Sequence, residues 1–211
     1  MSRDEQFDQI LSAMKVAAAT LRDAGIPFAL AGGLAVYARG GPPTEHDVDF
    51  LIKKEDVDRA VEVLSDAGFR SERPPEGWLY KVYDENGAMI DLIFAPNSRP
   101  ERVQSILERA TELEVYAITM PVMSATDVLE SKLRTIKEHE ANYDDVLEIA
   151  RTCREQIEWE TLRTHVGDSP YAKAFFTLAE ELEIAPRVRQ SASGRSRVTV
   201  LESVPEATTG S

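Results

Sequence analysis

Hydrophobic positions near the start of the chain recur every three or four residues, which predicts an amphipathic helix that stops before Gly25 and Pro27. Its apolar stripe consists of Phe7, Ile10, Leu11, Met14, Ala18 and Leu21. The next segment, FALA, predicts a short strand that runs into Gly32 and Gly33, and LAVYARG predicts a helix directly after them. A pair of glycines therefore stands where a strand passes into a helix.

The following segments predict two strand-rich regions separated by a helix. HDVDFLI, residues 46–52, has the apolar content of a strand, and the acidic residues that open segment 54–69 suit a helix N-terminus, with Gly68 as its stop. WLYKVYD and AMIDLIF are β-rich runs joined through Asn86 and Gly87, the pair preferred in a type I′ turn. We therefore expect a two-stranded hairpin here.

The rest of the chain becomes helical. A helix near residues 101–109 and a strand near residues 114–118 precede a capping box formed by Ser124 and Asp127. SATDVLESKLRTIKEH, YDDVLEIARTCRE and SPYAKAFFTLAEEL then predict three helices. The sequence thus predicts an α+β fold, in which a short mixed sheet flanked by helices precedes an all-helical C-terminal region. The expected division is an α/β domain over 1–120, a helical region over 121–186 and a tail over 187–211.

Composition and charge limit the classes of function. The 211 residues carry a net charge of −13, so general attraction to nucleic-acid phosphates is not expected over most of the surface. The tail has four arginines, two glutamates and many small polar residues, which predicts a basic, disordered segment. No apolar run approaches the roughly 20 residues of a membrane span, so we expect a cytoplasmic protein without membrane contact. The single cysteine, Cys153, is expected in the core.

Two aspartates interrupt the apolar strand HDVDFLI. Because alternate residues of a strand face the same way, Asp47 and Asp49 share one face, with Cα atoms about 7 Å apart. Carboxylates this close repel each other unless a cation offsets their charge, and Mg²⁺ prefers such oxygen ligands. An edge strand with a solvated acidic face is the alternative interpretation.

Asp91 favours the metal interpretation. It lies in AMIDLIF, which is apolar on both faces like a central strand, where local structure requires no charge. A third carboxylate on a neighbouring strand completes a cradle that can hold two ions at a phosphoryl-transfer site. Backbone amides at Gly32 and Gly33 can receive a phosphate, since no side chain stands in the way.

These motifs together resemble the signature of the DNA polymerase β-like nucleotidyltransferase superfamily. The signature consists here of Ala31-Gly32-Gly33, then His46-Asp47-Val48-Asp49-Phe50, and later Asp91 between apolar residues. The resemblance covers residues 28–151 and is strongest for a small bacterial branch. That branch includes the abortive-infection toxins of toxin–antitoxin pairs and the antibiotic nucleotidyltransferases. It implies a mixed sheet with flanking helices, followed by an all-helical region.

The resemblance also implies a chemistry. An enzyme of this kind uses Mg²⁺, with Mn²⁺ as an alternative, to move a nucleoside monophosphate from a nucleoside triphosphate such as ATP to an acceptor hydroxyl, releasing pyrophosphate. Asp47, Asp49 and Asp91 would be the metal-binding and catalytic residues, with Asp91 aligning and deprotonating the acceptor. The acceptor would be a tRNA end or a small molecule such as an antibiotic. An antitoxin would be a partner if the protein is a toxin.

Three further residues are expected at the nucleotide. Lys132 and Asp145 match a lysine and an aspartate on two consecutive helices of that branch. Lys132 also belongs to an apolar stripe, so its charge requires an anion opposite it, although a solvated helix residue is the alternative. Thr44 is the nearest hydroxyl to a position that family members fill with serine or threonine, which is Glu45 in this sequence.

Departures from the family pattern keep a second hypothesis open. Besides Glu45, Ala141 and Asn142 replace a basic residue and an acid that often precede the second-helix aspartate. These changes favour a catalytically weakened protein of the same fold that binds nucleotide or regulates a partner. Nucleotide-dependent stabilisation without turnover would distinguish this alternative from an active enzyme.

Overall fold

A seven-stranded mixed sheet organises the structure, a computed structural model that describes residues 3–42, 47–137 and 141–187. The strands of this sheet are β1 (Phe28–Leu30), β2 (Val48–Ile52), β3 (Arg70–Glu72), β4 (Leu79–Tyr83), β5 (Met89–Ile93), β6 (Thr111–Val115) and β7 (Ile118–Val122). Their order is β3-β4-β5-β2-β1-β7-β6. The pairs β2–β5 and β1–β7 are parallel, and the other neighbours are antiparallel.

Helices cover the sheet and continue beyond it. Their bounds are α1 (Arg3–Asp23), α2 (Gly32–Ala38), α3 (Val57–Asp66), α4 (Val103–Arg109), α5 (Ala125–Thr135), α6 (Asp144–Thr152), α7 (Trp159–Val166) and α8 (Pro170–Glu181). Helix α1 packs against α3 and β5, α2 and α4 pack against β2, and α5 packs against α2, α6 and α7. None of the helices in the described ranges combines the length and the apolar character that a membrane span requires. The predicted α+β fold with a helical C-terminal part is confirmed.

One predicted strand and one predicted turn differ from the structure. The segment predicted as a single strand near residues 114–118 contains the end of β6, a turn at Tyr116 and Ala117, and the first residue of β7; both turn residues have positive φ, 49° and 64°. The turn predicted through Asn86 and Gly87 is not a two-residue type I′ turn. Gly87 instead has a φ of 84° and ends a longer loop, in which the Asp84 carboxylate accepts hydrogen bonds from the amides of Asn86 and Ala88.

Two elements have no counterpart in the sequence prediction. Strand β3 is exposed at the edge of the sheet and lacks an apolar stripe, and α7 follows a loop with few turn-forming residues. The Ser124 half of the predicted capping box is present, since its hydroxyl accepts a hydrogen bond from the Asp127 amide at 3.0 Å, while the Asp127 carboxylate accepts hydrogen bonds from that hydroxyl and from Arg109. Cys153 is buried, as expected.

Arg39, at the end of α2, fastens the sheet to the helical region. Its guanidinium donates hydrogen bonds to the carbonyl oxygens of Val122, at 2.9 Å, and Met123, and a further one to the Gln156 side chain beyond α6. One buried hydrophobic cluster also runs through both regions, from Leu11 in α1 to Ala185 after α8. The segment that leads from β7 into α5 is therefore held against the sheet.

Candidate active site

The strand register places the side chains of Asp49, Asp91 and Lys81 side by side. Asp49 on β2 and Asp91 on β5 are direct neighbours across the parallel pair of central strands. Asp91 in turn lies opposite Lys81 on the antiparallel strand β4. Directly opposed residues in a sheet point to the same face. The two carboxylates and the Lys81 ammonium group therefore form one row across three strands.

Gly32 leaves room for the Asp49 carboxylate. It is the first residue of α2 and has a φ of 59°, a conformation that favours glycine. A Cβ atom at this position would lie 1.8 Å from Asp49 Oδ2, so no other amino acid fits without moving that side chain. The amide of the preceding residue, Ala31, also donates a 2.8 Å hydrogen bond to the Asp49 carbonyl. The predicted glycine pair therefore touches the predicted acidic strand.

A cavity of about 670 Å³, a volume typical of small-ligand sites, opens beside Asp49, which is the member of this row that lines it. Gly32, Asp49 and Leu51 line it from the sheet side, and α5 contributes Ser131 and Lys132. The half-buried Lys132 is close enough to Asp49 for its charge to favour ionisation of that carboxyl. Further cationic side chains on the wall are Arg99, Arg102, Arg134 and Lys137. The cavity thus combines the Asp49 carboxylate on the sheet side with several cations on the opposite wall.

The carboxylates are crowded enough to change their acidity. Burial, followed by the charges of Asp91 and Asp47, raises the pKa of Asp49 to about 7. Burial also raises the pKa of Asp91, although the hydrogen bond and charge of Lys81 oppose that rise. Burial disfavours the Lys81 ammonium as well, but its hydrogen bond to Asp91 together with the charges of Asp91, Tyr83 and Asp47 outweighs burial and raises the pKa of Lys81. The site is therefore short of positive charge.

The convergence of three carboxylates on one ion is not present. Among the described residues, no three histidine, cysteine, aspartate or glutamate side chains are arranged to hold a metal together. Both oxygens of Asp91 instead accept hydrogen bonds from Lys81 Nζ, at 3.0 and 3.3 Å. Asp47 and Asp49 remain as oxygen donors, and a bound cation would relieve the repulsion by which Asp47 disfavours ionisation of Asp49. This donor set fits one Mg²⁺, which proteins commonly hold through one or two carboxylates together with substrate phosphates.

The other predicted nucleotide-binding residues lie in different settings. Gly33 follows Gly32 in the first turn of α2. Asp145 is exposed in the first turn of α6 and does not line the cavity. Thr44 falls outside the described residues, as does Glu45.

Sequence reasoning missed a largely buried ionic network within the cavity wall. Glu130 of α5, only 4% exposed, accepts hydrogen bonds from Arg102 and from Arg134, and its Oε2 lies 2.7 Å from His165 Nδ1. Burial favours the protonated form of Glu130, but these neighbours together lower its pKa. The sequence did contain one signal of this network, namely a glutamate, Glu130, in the predicted helix that carries the apolar stripe of Lys132. One turn earlier, the buried Asp127 forms a two-pronged ion pair with Arg109.

The sequence profile of a family described as "Uncharacterised nucleotidyltransferase" matches residues 6–179, which is most of the chain and includes every part of the cavity. The chain belongs to this nucleotidyltransferase family. It is accordingly an enzyme that transfers nucleotides. No curated protein sequence is significantly similar to this nucleotidyltransferase.

Solved structures share the fold of the enzyme at low sequence identity. The crystal structure of ANT(2″)-Ia in complex with adenylyl-2″-tobramycin has a TM-score of 0.56 at 15% identity, covering 80% of this chain and 99% of the other. The solution structure of the same antibiotic-resistance factor has a TM-score of 0.55 at 13% identity, covering 83% and 97%. An antigenic nucleotidyltransferase-like protein from Paracoccidioides brasiliensis has a TM-score of 0.54 at 19% identity, covering 89% and 96%.

Replacing Gly32 by alanine tests the fit between α2 and Asp49. The added Cβ must push the Asp49 carboxylate away, so we expect at least a roughly tenfold loss of nucleotide transfer, besides a stability loss of about 1–2 kcal/mol from the positive φ. Gly25→Ala is the matched control, because Gly25 has a φ of 66° but nothing within 4 Å of the added atom. It should lose similar stability and keep its activity. Equal activity losses in the two variants would contradict the proposed fit.

Replacing Asp49 by asparagine tests the charge crowding. Because the pKa of Asp49 is raised from 3.8 to about 7, the folded protein binds more protons than the unfolded chain between these values. The free energy of unfolding therefore falls as the pH rises through this window. The asparagine side chain cannot titrate, so we expect Asp49→Asn in EDTA to be about 1–3 kcal/mol more stable than wild type above pH 7, with little difference near pH 4.

Urea denaturation across this pH range measures the effect. Asp168→Asn, at an exposed aspartate between α7 and α8, is the control and should change stability by no more than about 0.5 kcal/mol. A pH dependence that is the same in wild type and Asp49→Asn would show that Asp49 is not crowded in the folded protein.

Proposed function

We propose that the protein moves a nucleoside monophosphate from a nucleoside triphosphate to the hydroxyl of a small-molecule acceptor, with release of pyrophosphate. The observation that carries this proposal is that Gly32, Asp49 and Lys132, which come from three separate segments of the chain, line one cavity. A carboxylate, an accessible stretch of backbone and a lysine are the groups that a metal-bound triphosphate requires.

The residues would divide the work between the two substrates. Lys132 neutralises part of the triphosphate charge, and the backbone at Gly32, which lines the cavity, allows phosphate oxygens to approach closely. The divalent ion expected for this chemistry, held by Asp47 and Asp49, would neutralise phosphate oxygens and favour departure of pyrophosphate. Catalysis then consists mainly of positioning and of neutralising the charge that develops.

The transfer step involves one bond formed and one broken. The acceptor oxygen attacks the α-phosphorus, the bond between the α-phosphorus and its bridge to the β-phosphate breaks, and pyrophosphate leaves. Asp91 is the carboxylate placed to take the proton from the acceptor hydroxyl, since it lies directly beside Asp49 on the next strand. Its raised pKa makes it a better proton acceptor than an ordinary aspartate.

Two considerations support a small acceptor. ANT(2″)-Ia, whose fold this chain shares, was crystallised with adenylyl-2″-tobramycin, a nucleotide joined to a small molecule. The cavity volume of about 670 Å³ also suits a nucleotide with a small partner rather than an extended polymer. An RNA end remains the competing acceptor, and it would accompany a role as a toxin with an antitoxin partner.

A labelling experiment tests the proposed function. The protein is incubated with Mg²⁺ and each of the four α-labelled nucleoside triphosphates, first alone, then with a panel of aminoglycosides and lincosamides, and finally with total RNA. We expect label on a small molecule, an equal amount of pyrophosphate, and neither product from Asp49→Asn. Label on RNA would show that the acceptor is RNA and not a small molecule. Nucleotide-dependent stabilisation without any transfer would favour a binding or regulatory protein.

Lys132→Ala tests the triphosphate contact. Losing a charge-assisted contact of roughly 1.5–3 kcal/mol should lower kcat/KM by roughly ten- to more than a hundredfold and weaken triphosphate binding measured by calorimetry. The free energy of unfolding should change by no more than about 0.5 kcal/mol. Lys173→Ala, at an exposed lysine on α8, is the control and should leave kcat/KM, triphosphate binding and the free energy of unfolding unchanged. Unchanged affinity in Lys132→Ala would rule out the contact, and a large stability loss would indicate packing of the lysine stem.

A further inference from the structure

Lys81 occupies a position that the transfer chemistry described above does not explain. It lies directly opposite Asp91 in the β4–β5 pair, and its Nζ contacts both carboxylate oxygens of that residue. The Lys81 side chain is 27% exposed and the Asp91 side chain 13%, so the ion pair is largely shielded from water. Lys81 Nζ also lies 3.4 Å from Met89 Sδ, which further fixes its position.

The setting of this ion pair is that of a cation site. Asp47 and Asp91 both act on Lys81 through their charges, and Asp47 also acts on Asp49 and Asp91. Lys81 is thus the cation in contact with Asp91, in a region where the negative charges of Asp47 and Asp49 also act. A second divalent ion bound through Asp91 would have to displace Lys81 from both oxygens and would leave that ammonium group in a partly buried position without its partner.

We propose that Lys81 fills the cation position beside Asp91, so that the site takes one divalent ion, at Asp47 and Asp49, rather than two. This inference rests on the proposed function, because it assumes that the carboxylates bind a metal and a triphosphate. Lys81 then holds the Asp91 carboxylate in place beside Asp49 through its contacts with both oxygens. Its ammonium group also lies where it can stabilise the negative charge that develops on the acceptor oxygen.

Metal stoichiometry tests the inference without requiring turnover. The ligand is the α,β-methylene analogue of whichever nucleoside triphosphate raises the melting temperature most, supplied at one equivalent per protein and at saturating concentration. Free Mn²⁺ is followed by electron paramagnetic resonance as Mn²⁺ is added. We expect one bound Mn²⁺ per complex for wild type and two for Lys81→Met. Lys81→Arg, which keeps the charge, and Lys173→Met, at the exposed lysine of α8, should each bind one.

A second pair of variants keeps the test decisive if Lys81→Met does not fold. Asp91→Asn should retain the single Mn²⁺ with an affinity within about threefold of wild type, because Asp91 is not its ligand, whereas Asp49→Asn should lose it. Two ions in wild type, one ion in a folded Lys81→Met, or loss of Mn²⁺ in Asp91→Asn would each overturn the inference and leave the proposed function standing. No Mn²⁺ bound by any variant would overturn both.

Discussion

The burial of like charges on two adjacent central strands is the constraint on which the rest of the structure depends. Asp49 and Asp91 lie side by side in a parallel pair, close to Asp47, and water is partly excluded from both. Such a cluster destabilises the folded chain unless positive charge surrounds it. The architecture meets this requirement with cations from separate elements: Lys81 on β4 and Lys132 on α5.

The position of α5 follows from the same requirement. Lys132 can reach the carboxylates only if α5 is held at a fixed distance over the sheet. The buried Glu130, one turn before Arg134 on the same helix, ties α5 to Arg102 near α4 and to His165 of α7. Removing one member of a buried ionic network leaves the others without partners and is strongly destabilising. The network therefore fixes one wall of the cavity, although none of its members has to touch the reacting groups.

The roles of Asp49 and Asp91 could be predicted from the sequence because each places a charge where the local pattern favours an apolar residue. Asp49 and Asp91 stand in apolar runs where packing alone would favour valine or isoleucine, and Gly32 stands before a helix where alanine would serve better. Lys81 gave no such signal, because a single lysine among alternating residues of a hairpin strand is typical of a solvent-facing position. Only the strand register shows that it faces Asp91. Register is a tertiary property and cannot be obtained from local periodicity.

The same limit applied to the turns and short elements. Local propensity suggested a strand near residues 114–118 because the segment is rich in β-branched and aromatic residues, yet Tyr116 adopts a positive φ while its ring stacks on Tyr37 of α2. Tertiary packing of that ring accompanies a conformation that is locally unfavourable. Strand β3 has no apolar side at all, and its pairing with β4 alone defines it as a strand.

The distribution of charge bears on the choice of acceptor. The chain has a net charge of −13 even though its tail is basic, so the rest of the protein is more acidic still. Cations nevertheless gather on the wall of one cavity, where Arg99, Lys132 and Lys137 line the same space as Asp49. At physiological salt, charges are screened beyond about 8 Å, so a triphosphate inside the cavity responds mainly to these nearby cations.

An RNA acceptor would extend its phosphates over the acidic surface outside, where each one adds repulsion instead of releasing counterions. A compact acceptor that is neutral or positively charged avoids that penalty, so the electrostatics of the whole protein favour a small molecule over a polynucleotide.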